Sequence, residues 1–344
     1  MKIVIHQLRE YDLAEADRIF RLAFGTFFGL PDPMSFAGDA DYVRTRYYAD
    51  PASAYGATIV DNRGGGTGNG NDNGRLVGSN FTANWGSVGF FGPLTVHPDY
   101  WDKGVARSLM EPTMQLFSKW NTKHSGLFTF AQSPKHISLY QKYGFWPHFL
   151  TAIMSKAVSP NNANGINNES LQWSKYTDVS KMENGSDEYL VNGCRRLTNS
   201  IYDGLDLRVE IMSIIKQKLG DIVLIWDPDS TNSITIDNGR DIAGFAICHC
   251  GKGTEAGSDT CYIKFAAVRP PTSDNFDRLI DACTIFALQQ GLSRLVAGAN
   301  TSRRQAYGKM LSKGFRIDML GIVMQNGIDV GYNRPDVYIM DDWR

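Results

Sequence analysis

At roughly 150 residues per domain, a chain of 344 residues has room for about two domains, and 42% apolar with 21% charged residues is the balance of a folded globular protein, not a disordered one. Its 35 Lys and Arg against 36 Asp and Glu leave a net charge of −1, which excludes the global basic footprint of a nucleic-acid or anionic-membrane binder. Recognition has to be local.

The start, Met1 to Gln7, turns polar too soon for a secretory h-region. The longest apolar stretch, Val88 to Val96, is broken by Gly89, Gly92, Pro93 and Thr95 and is far short of the roughly 20 residues that span a bilayer. The expected location is cytoplasmic, with no membrane partner. Five cysteines are too few and too scattered for a disulfide framework.

In chain order, the first half reads as a strand (Ile3 to Leu8), a helix (Asp12 to Phe24), a loop and short helix through Asp39 to Tyr48, and strands at Tyr55 to Val60 and Arg75 to Trp85. Between those strands, Asp61 to Gly74 is too rich in Gly and Asn to bury apolar surface and reads as a flexible hairpin excursion. A strand over Val88 to Val96, a helix from Gly104, a strand at Gly126 to Phe130, a helix at Lys135 to Tyr143 and a strand at Phe149 to Lys156 follow. The polar run Ser159 to Glu169 is the expected linker.

The second half repeats the order. Helices are expected at Glu188 to Leu205 and Arg208 to Leu219, and strands at Asp221 to Trp226, Asp241 to Cys250 and Thr260 to Val268. A helix at Asn275 to Gln290, a strand at Arg294 to Gly298, a helix at Ser302 to Lys313 and a strand at Arg316 to Met324 complete it. Val96 to Gly144 spans 48 positions and Val268 to Gly314 spans 46, each closing in Gly-Phe after a helix that carries Tyr and Lys. A repeat this long means duplicated domains. The expected units are 1–158, a linker region 159–184, and 185–344.

The sharpest segment is Phe91 to Met110. The strand ends at Val96, Pro98 stops the ladder, and a tight turn opens a helix near Gly104, so unpaired amides and the positive end of the helix dipole point outward together. Such an end suits a pyrophosphate. Gly104 and Ala106 leave room for close approach of backbone to oxyanion, and Lys103 and Arg107 add positive charge.

With the downstream element Ser133 to Phe145, this segment resembles the two signature motifs of the GNAT superfamily of acyl-CoA-dependent N-acyltransferases. The family's Q/R-x-x-G-x-G/A loop maps onto Trp101 to Ala106, with Trp101 as the departure, and its Tyr-x-x-x-Gly-Phe helix end maps onto Tyr140 to Phe145. The resemblance implies an α/β (α+β) fold of two tandem GNAT-like domains, each a mixed, mostly antiparallel central sheet flanked by helices. It also implies that the backbone of Leu94, Thr95 and Val96 pairs with the pantetheine arm of acetyl-CoA. The amides of Asp102, Lys103, Gly104, Val105, Ala106 and Arg107, joined by Ser133, would hold the pyrophosphate, and Tyr140 would protonate the leaving thiolate.

An amine nucleophile must lose a proton before it attacks, yet Arg75 to Val96 contains no Asp, Glu or His. Candidates for the base are water relayed through Asn80 or Asn84, His97, a group from elsewhere, or a C-terminal carboxylate beyond Asp341 and Asp342, a device some relatives of the superfamily use. Glu15, Asp32, Asp39 and Asp41 could form an acidic rim that attracts the amine.

The second copy lacks the Gly-x-Gly/Ala turn. Pro270 and Pro271 remove donors, Asp274 adds negative charge, and Met310 stands where Tyr140 does, with Tyr307 almost a turn earlier. This half is expected not to bind acyl-CoA but to cover the first and help wall the acceptor site. Cys248 and Cys250 alternate with His249 along a strand and so do not converge on a metal. The implied activity is acetyl transfer from acetyl-CoA to a primary amine. A non-catalytic acyl-CoA sensor, and a relative in which the second copy is the active one, are the alternatives.

Overall fold

The computed structural model describes residues 2–60, 74–163, 166, 171–182, 186–227, 241–269 and 273–344. The Gly-rich excursion, much of the linker, Pro270 and Pro271 lie outside the described residues.

The chain begins with β1 (Lys2–Gln7), α1 (Leu13–Phe27) and α2 (Tyr42–Ala49). Leu13, Ala16, Ile19, Phe20 and Ala23 recur at helical spacing and form the buried stripe of α1. β2 (Ala54–Val60), β3 (Arg75–Trp85), β4 (Val88–Phe91) and β5 (Thr95–Val96) follow, then α3 (Val105–Lys119), β6 (His124–Thr129), α4 (Pro134–Gln141) and β7 (Phe145–Ala157). A turn of helix, α5 (Pro160–Ala163), leads to β8 (Trp173–Lys175), α6 (Tyr176–Met182), α7 (Ser186–Ile201) and α8 (Arg208–Gln217). The remainder is β9 (Gly220–Trp226), β10 (Ile242–Cys250), β11 (Thr260–Val268), α9 (Ser273–Gln289), β12 (Arg294–Asn300), α10 (Arg304–Ser312), β13 (Arg316–Asn326) and β14 (Ile339–Met340).

The expected strand over Val88 to Val96 is two strands, because a cis Gly92–Pro93 peptide interrupts it and β5 crosses to pair with β3 instead. The other expected elements are present with ends shifted by a few residues. α5, β8, α6 and β14 were not expected; all are short, and β14 has too little length to show a period.

Among the described residues the strands form a single mixed, mostly antiparallel sheet in the order β1-β2-β3-β4-β6-β13-β7-β12-β11-β10-β9-β8. β13, from the second half, sits between β6 and β7 of the first, and β7 continues into β12. The two closing glycines, Gly144 and Gly314, both at positive φ, lie 170 positions apart, and so do the paired residues Thr151 and Gly321. A pseudo-twofold axis therefore passes between Thr151 and Gly321. In the second half apolar cores lie on both faces of the sheet, one built with α9 and α10, the other with α7 and α8.

Candidate functional site

β4 and β6 run parallel and pair only at Val88–His124, Gly89–Ser125 and Phe90–Gly126. Beyond Phe90 and Gly126 they part, since β4 ends at Phe91 and Gly92 donates back to Phe81 of β3. The opening leads into a cavity of about 880 Å³ that runs from the start of α3 to the second half of the chain. Leu94, Thr95, Val96, Asp102, Gly104, Val105, Ala106, Arg107, Ser133 and Tyr140 all line it.

At one end of the cavity the backbone forms an anion nest. Asp102 at φ 61° and Gly104 at φ 84° turn the chain into α3, and the first helical bond is donated by Ser108 to Gly104 O. The amides of Gly104 to Arg107 thus have no acceptor among the described residues, as expected of a helix N-terminus. A Cβ built on Gly104 meets nothing within 4 Å, so the space above it is open. Trp101, where the family pattern has Gln or Arg, donates its indole N–H to Val96 O at 2.8 Å and fixes the turn to the end of β5. That bond takes the Val96 carbonyl. Lys135 of α4 reaches the Asp102 carboxylate at 2.8 Å and ties the turn to the second motif. Lys103 does not line the cavity; its Nζ turns back to Asp99 O at 2.6 Å.

Tyr140 lies on the inner face of α4, a helix started by Pro134 and capped by the Ser133 hydroxyl, which accepts from His136 N at 3.4 Å. Its ring packs edge-on against Phe91 at 5.6 Å between centroids, and its hydroxyl has no hydrogen-bond partner among the described residues. Burial pushes the phenol pKa well up. An acid so reluctant to ionise gives its proton only to a strong base formed beside it, such as a thiolate in the same cavity.

The other wall comes from the second half. Glu255, Tyr262, Trp343 and Arg344 line the cavity opposite α1 and α2. Burial raises the Glu255 pKa, but Arg46 at 3.0 Å and Lys264 at 2.8 Å outweigh it and hold the carboxyl well below the usual range. Arg46 also donates to Gly92 O at 2.5 Å and to Arg344 O, so one buried guanidinium ties α2, the end of β4 and the C-terminal stretch together. Trp343 stacks on Phe90 at 6.0 Å and fills the space that the absent side chain of Gly126 leaves, flooring the opening where the strands part.

Three of the base candidates from sequence, Asn80, Asn84 and His97, do not line the cavity, whereas Arg344 of the C-terminal stretch does. Asn80 donates to Thr113 at 2.7 Å, Asn84 accepts from Gly86 N, and His97 Nδ1 accepts from Asp99 N in the turn after β5. Nor do the four acidic residues form a rim. Glu15 pairs with Arg18, Asp32 and Asp41 cap helical turns, and Asp39 holds Ser258 of the second half at 2.5 and 2.9 Å. Each carboxylate is spent on a bond within the fold, three of them local and that of Asp39 across to the second half.

The second half repeats the parting of strands and then closes it. β11 and β12 pair from Thr260–Arg294 to Ile263–Ala297 and diverge, but β14 enters the gap and pairs with β11 at Ala266–Met340 and Ala267–Ile339. Counting from Val96 and Val268, those alanines match Leu94 and Thr95. Arg303, matching Ser133, is buried and donates to Ile339 O at 2.9 Å and to the Asp341 carboxylate at 2.5 Å. Met310, matching Tyr140, packs in the apolar cluster that holds Met340. Sequence reasoning missed this filling because a two-residue strand carries no periodic signal.

Residues 32–145 match the model of the acetyltransferase (GNAT) family. No curated protein matches the chain. Among solved structures, one from Pyrococcus horikoshii, whose acetyltransferase assignment is itself provisional, covers 98% of this chain and 93% of its own at 12% identity and a TM-score of 0.60. A GCN5-related N-acetyltransferase from Anabaena variabilis covers 94% and 72% at 14% identity and a TM-score of 0.53. A fungal multi-domain β-N-acetylglucosaminidase, with a GCN5-related glucosamine N-acetyltransferase region, covers 94% and 38% at 11% identity and a TM-score of 0.60. At these identities the likeness is one of fold.

Proposed function

We propose that this chain, whose residues 32–145 match the acetyltransferase (GNAT) family, transfers an acetyl group from acetyl-CoA to a primary amine by direct attack, with the acyl donor held by the first half alone. The units 1–158 and 185–344 then have different tasks, the first holding the acyl donor and the second walling the acceptor side. One observation carries the reading: the open edge of Leu94 and Thr95, the acceptor-free amides of Gly104 to Arg107 and the unpartnered Tyr140 hydroxyl face the same cavity.

Each part matches one portion of the donor. The exposed edge of Leu94 and Thr95 can take the pantetheine arm as an added strand. The amides after Gly104 can take the pyrophosphate at the helix N-terminus, and Asp102, Val105, Ala106, Arg107 and Ser133 frame it. Tyr140 protonates the thiolate as the C–S bond breaks.

Calorimetry should show one acetyl-CoA bound per chain, and thiol release should rise with one or more primary amines, glucosamine included. No binding would sink the reading. Binding without turnover on any amine would favour a sensor.

A further inference from the structure

We infer that Tyr262, backed by Asp342, takes the proton from the amine nucleophile; this rests on the acyl-transfer reading above and supplies the base that the strands of the first half lack. Glu255, a carboxylate that lines the cavity on this side, is poorly suited. Both its oxygens accept bonds from Arg46, and Lys264 takes a second position on Oε1.

Tyr262 lies on β11, lines the cavity, and donates its phenolic proton to Asp342 Oδ1 at 2.9 Å. With its own proton directed away from the cavity, the phenol presents a lone pair toward it, which is the geometry that accepts from an ammonium group. Asp342 is fully buried. Its Oδ2 makes no hydrogen bond and lies 3.4 Å from Arg344 Nε. Space for the carboxylate exists because residue 298 is glycine: a Cβ there would fall 2.2 Å from Asp342 Cβ. Burial raises the proton affinity of Asp342, against the opposing pull of Arg344 and Tyr262. Arg344, Glu255, Tyr42, Asp341 and His249 are the other titratable groups facing the pair.

A chain of contacts links the pair to the surroundings of Tyr140. The Arg344 guanidinium lies 4.3 Å over the Tyr262 ring, Arg46 joins Arg344 O to Gly92 O, and Gly92 follows Phe91, whose ring meets Tyr140. Two phenols thus face one cavity from opposite halves. In the step, the ammonium passes a proton to Tyr262 Oη while the phenolic proton moves to Asp342, and that proton later leaves to solvent. The freed amine forms the C–N bond to the thioester carbon, the C–S bond breaks, and Tyr140 protonates the thiolate. The proton lost from nitrogen on collapse restores Tyr140.

The test compares ethylamine, protonated at neutral pH, with hydroxylamine, which is not, in the full-length protein. Asp342→Asn and Tyr262→Phe should each lower kcat with ethylamine roughly a hundredfold while leaving kcat with hydroxylamine and the Kd for acetyl-CoA unchanged. Equal losses with both nucleophiles, or no loss with either, would overturn the inference. Acetyl-CoA binding that disappears in Asp342→Asn marks a folding defect, and Tyr262→Phe, which keeps the ring, then decides. Wild-type protein that transfers to neither nucleophile would sink the acyl-transfer reading itself, and the inference with it.

Discussion

Past Phe90 and Gly126 the first half stops pairing its strands and leaves a gap; past Ile263 and Ala297 the second half does the same and then fills the gap with Ile339 and Met340. In the first, the edge of Leu94 and Thr95 faces a cavity; in the second, the matching alanines are bonded to the chain's own backbone. The difference teaches that a fold which parts two strands must satisfy the freed backbone edge somehow, with ligand, water or protein. Arg303 in place of Ser133 and Met310 in place of Tyr140 complete the conversion. A polar, open site has become a packed one.

The comparison breaks most sharply at Gly104. Gly104→Glu puts a β-carbon on a residue at φ 84° and a carboxylate into the anion nest, so acetyl-CoA binding by calorimetry should be lost; like-charge contact alone costs about 3 kcal/mol or more, over a hundredfold in Kd. Retained one-to-one binding would move the site to the second half.

Next in size, Tyr140→Phe should lower kcat by about 100- to 10,000-fold with the Kd for acetyl-CoA unchanged. A wild-type rate would remove the phenol from the chemistry and leave the two halves closer than they look.

Met340→Ala probes the filled gap from the other side. Met340 is fully buried, so a denaturant melt should show a loss of about 3 kcal/mol. A loss under about 0.5 kcal/mol would mean that β14 is only laid on the gap.

The smallest effect is a pH dependence beneath the C-terminal stretch. His124 is buried against Trp343 and Gly331, and desolvation lowers its pKa to about 4 from 6.5. The unfolded chain therefore binds the proton more tightly, and stability present above pH 6.5 is lost as pH falls toward 4. This histidine should account for about 2 kcal/mol of loss between pH 7.5 and pH 5. His124→Gln should flatten that part of a melting-temperature profile, and an unchanged slope would contradict the assignment.

What the sequence made legible was local. A turn with Gly104 and Ala106, and a helix closing in Gly-Phe, are read within one or two elements, because backbone amides and a capping hydroxyl act over a few residues. The repeat was legible for the same reason. The acceptor side was not, since Glu255 meets Arg46, and Tyr262 meets Asp342, across separations of 209 and 80 residues. No periodicity reports such a meeting. Lys103 was misjudged on charge alone, because a flexible ammonium beside a free carbonyl turns back to it. The break at Gly92 and Pro93 was visible as two residues but not as a change of strand partner.

The axis between Thr151 and Gly321 has a consequence for how the second site could be lost. An antiparallel seam in which each strand sees its own equivalent is the contact two identical subunits make in a twofold dimer. When both copies belong to one polypeptide, the partner is present at every concentration, and assembly no longer depends on mass action. A substitution also reaches a single copy, where in a homodimer it would strike both. Joining the subunits therefore frees one of them to trade chemistry for shape while its neighbour stays intact.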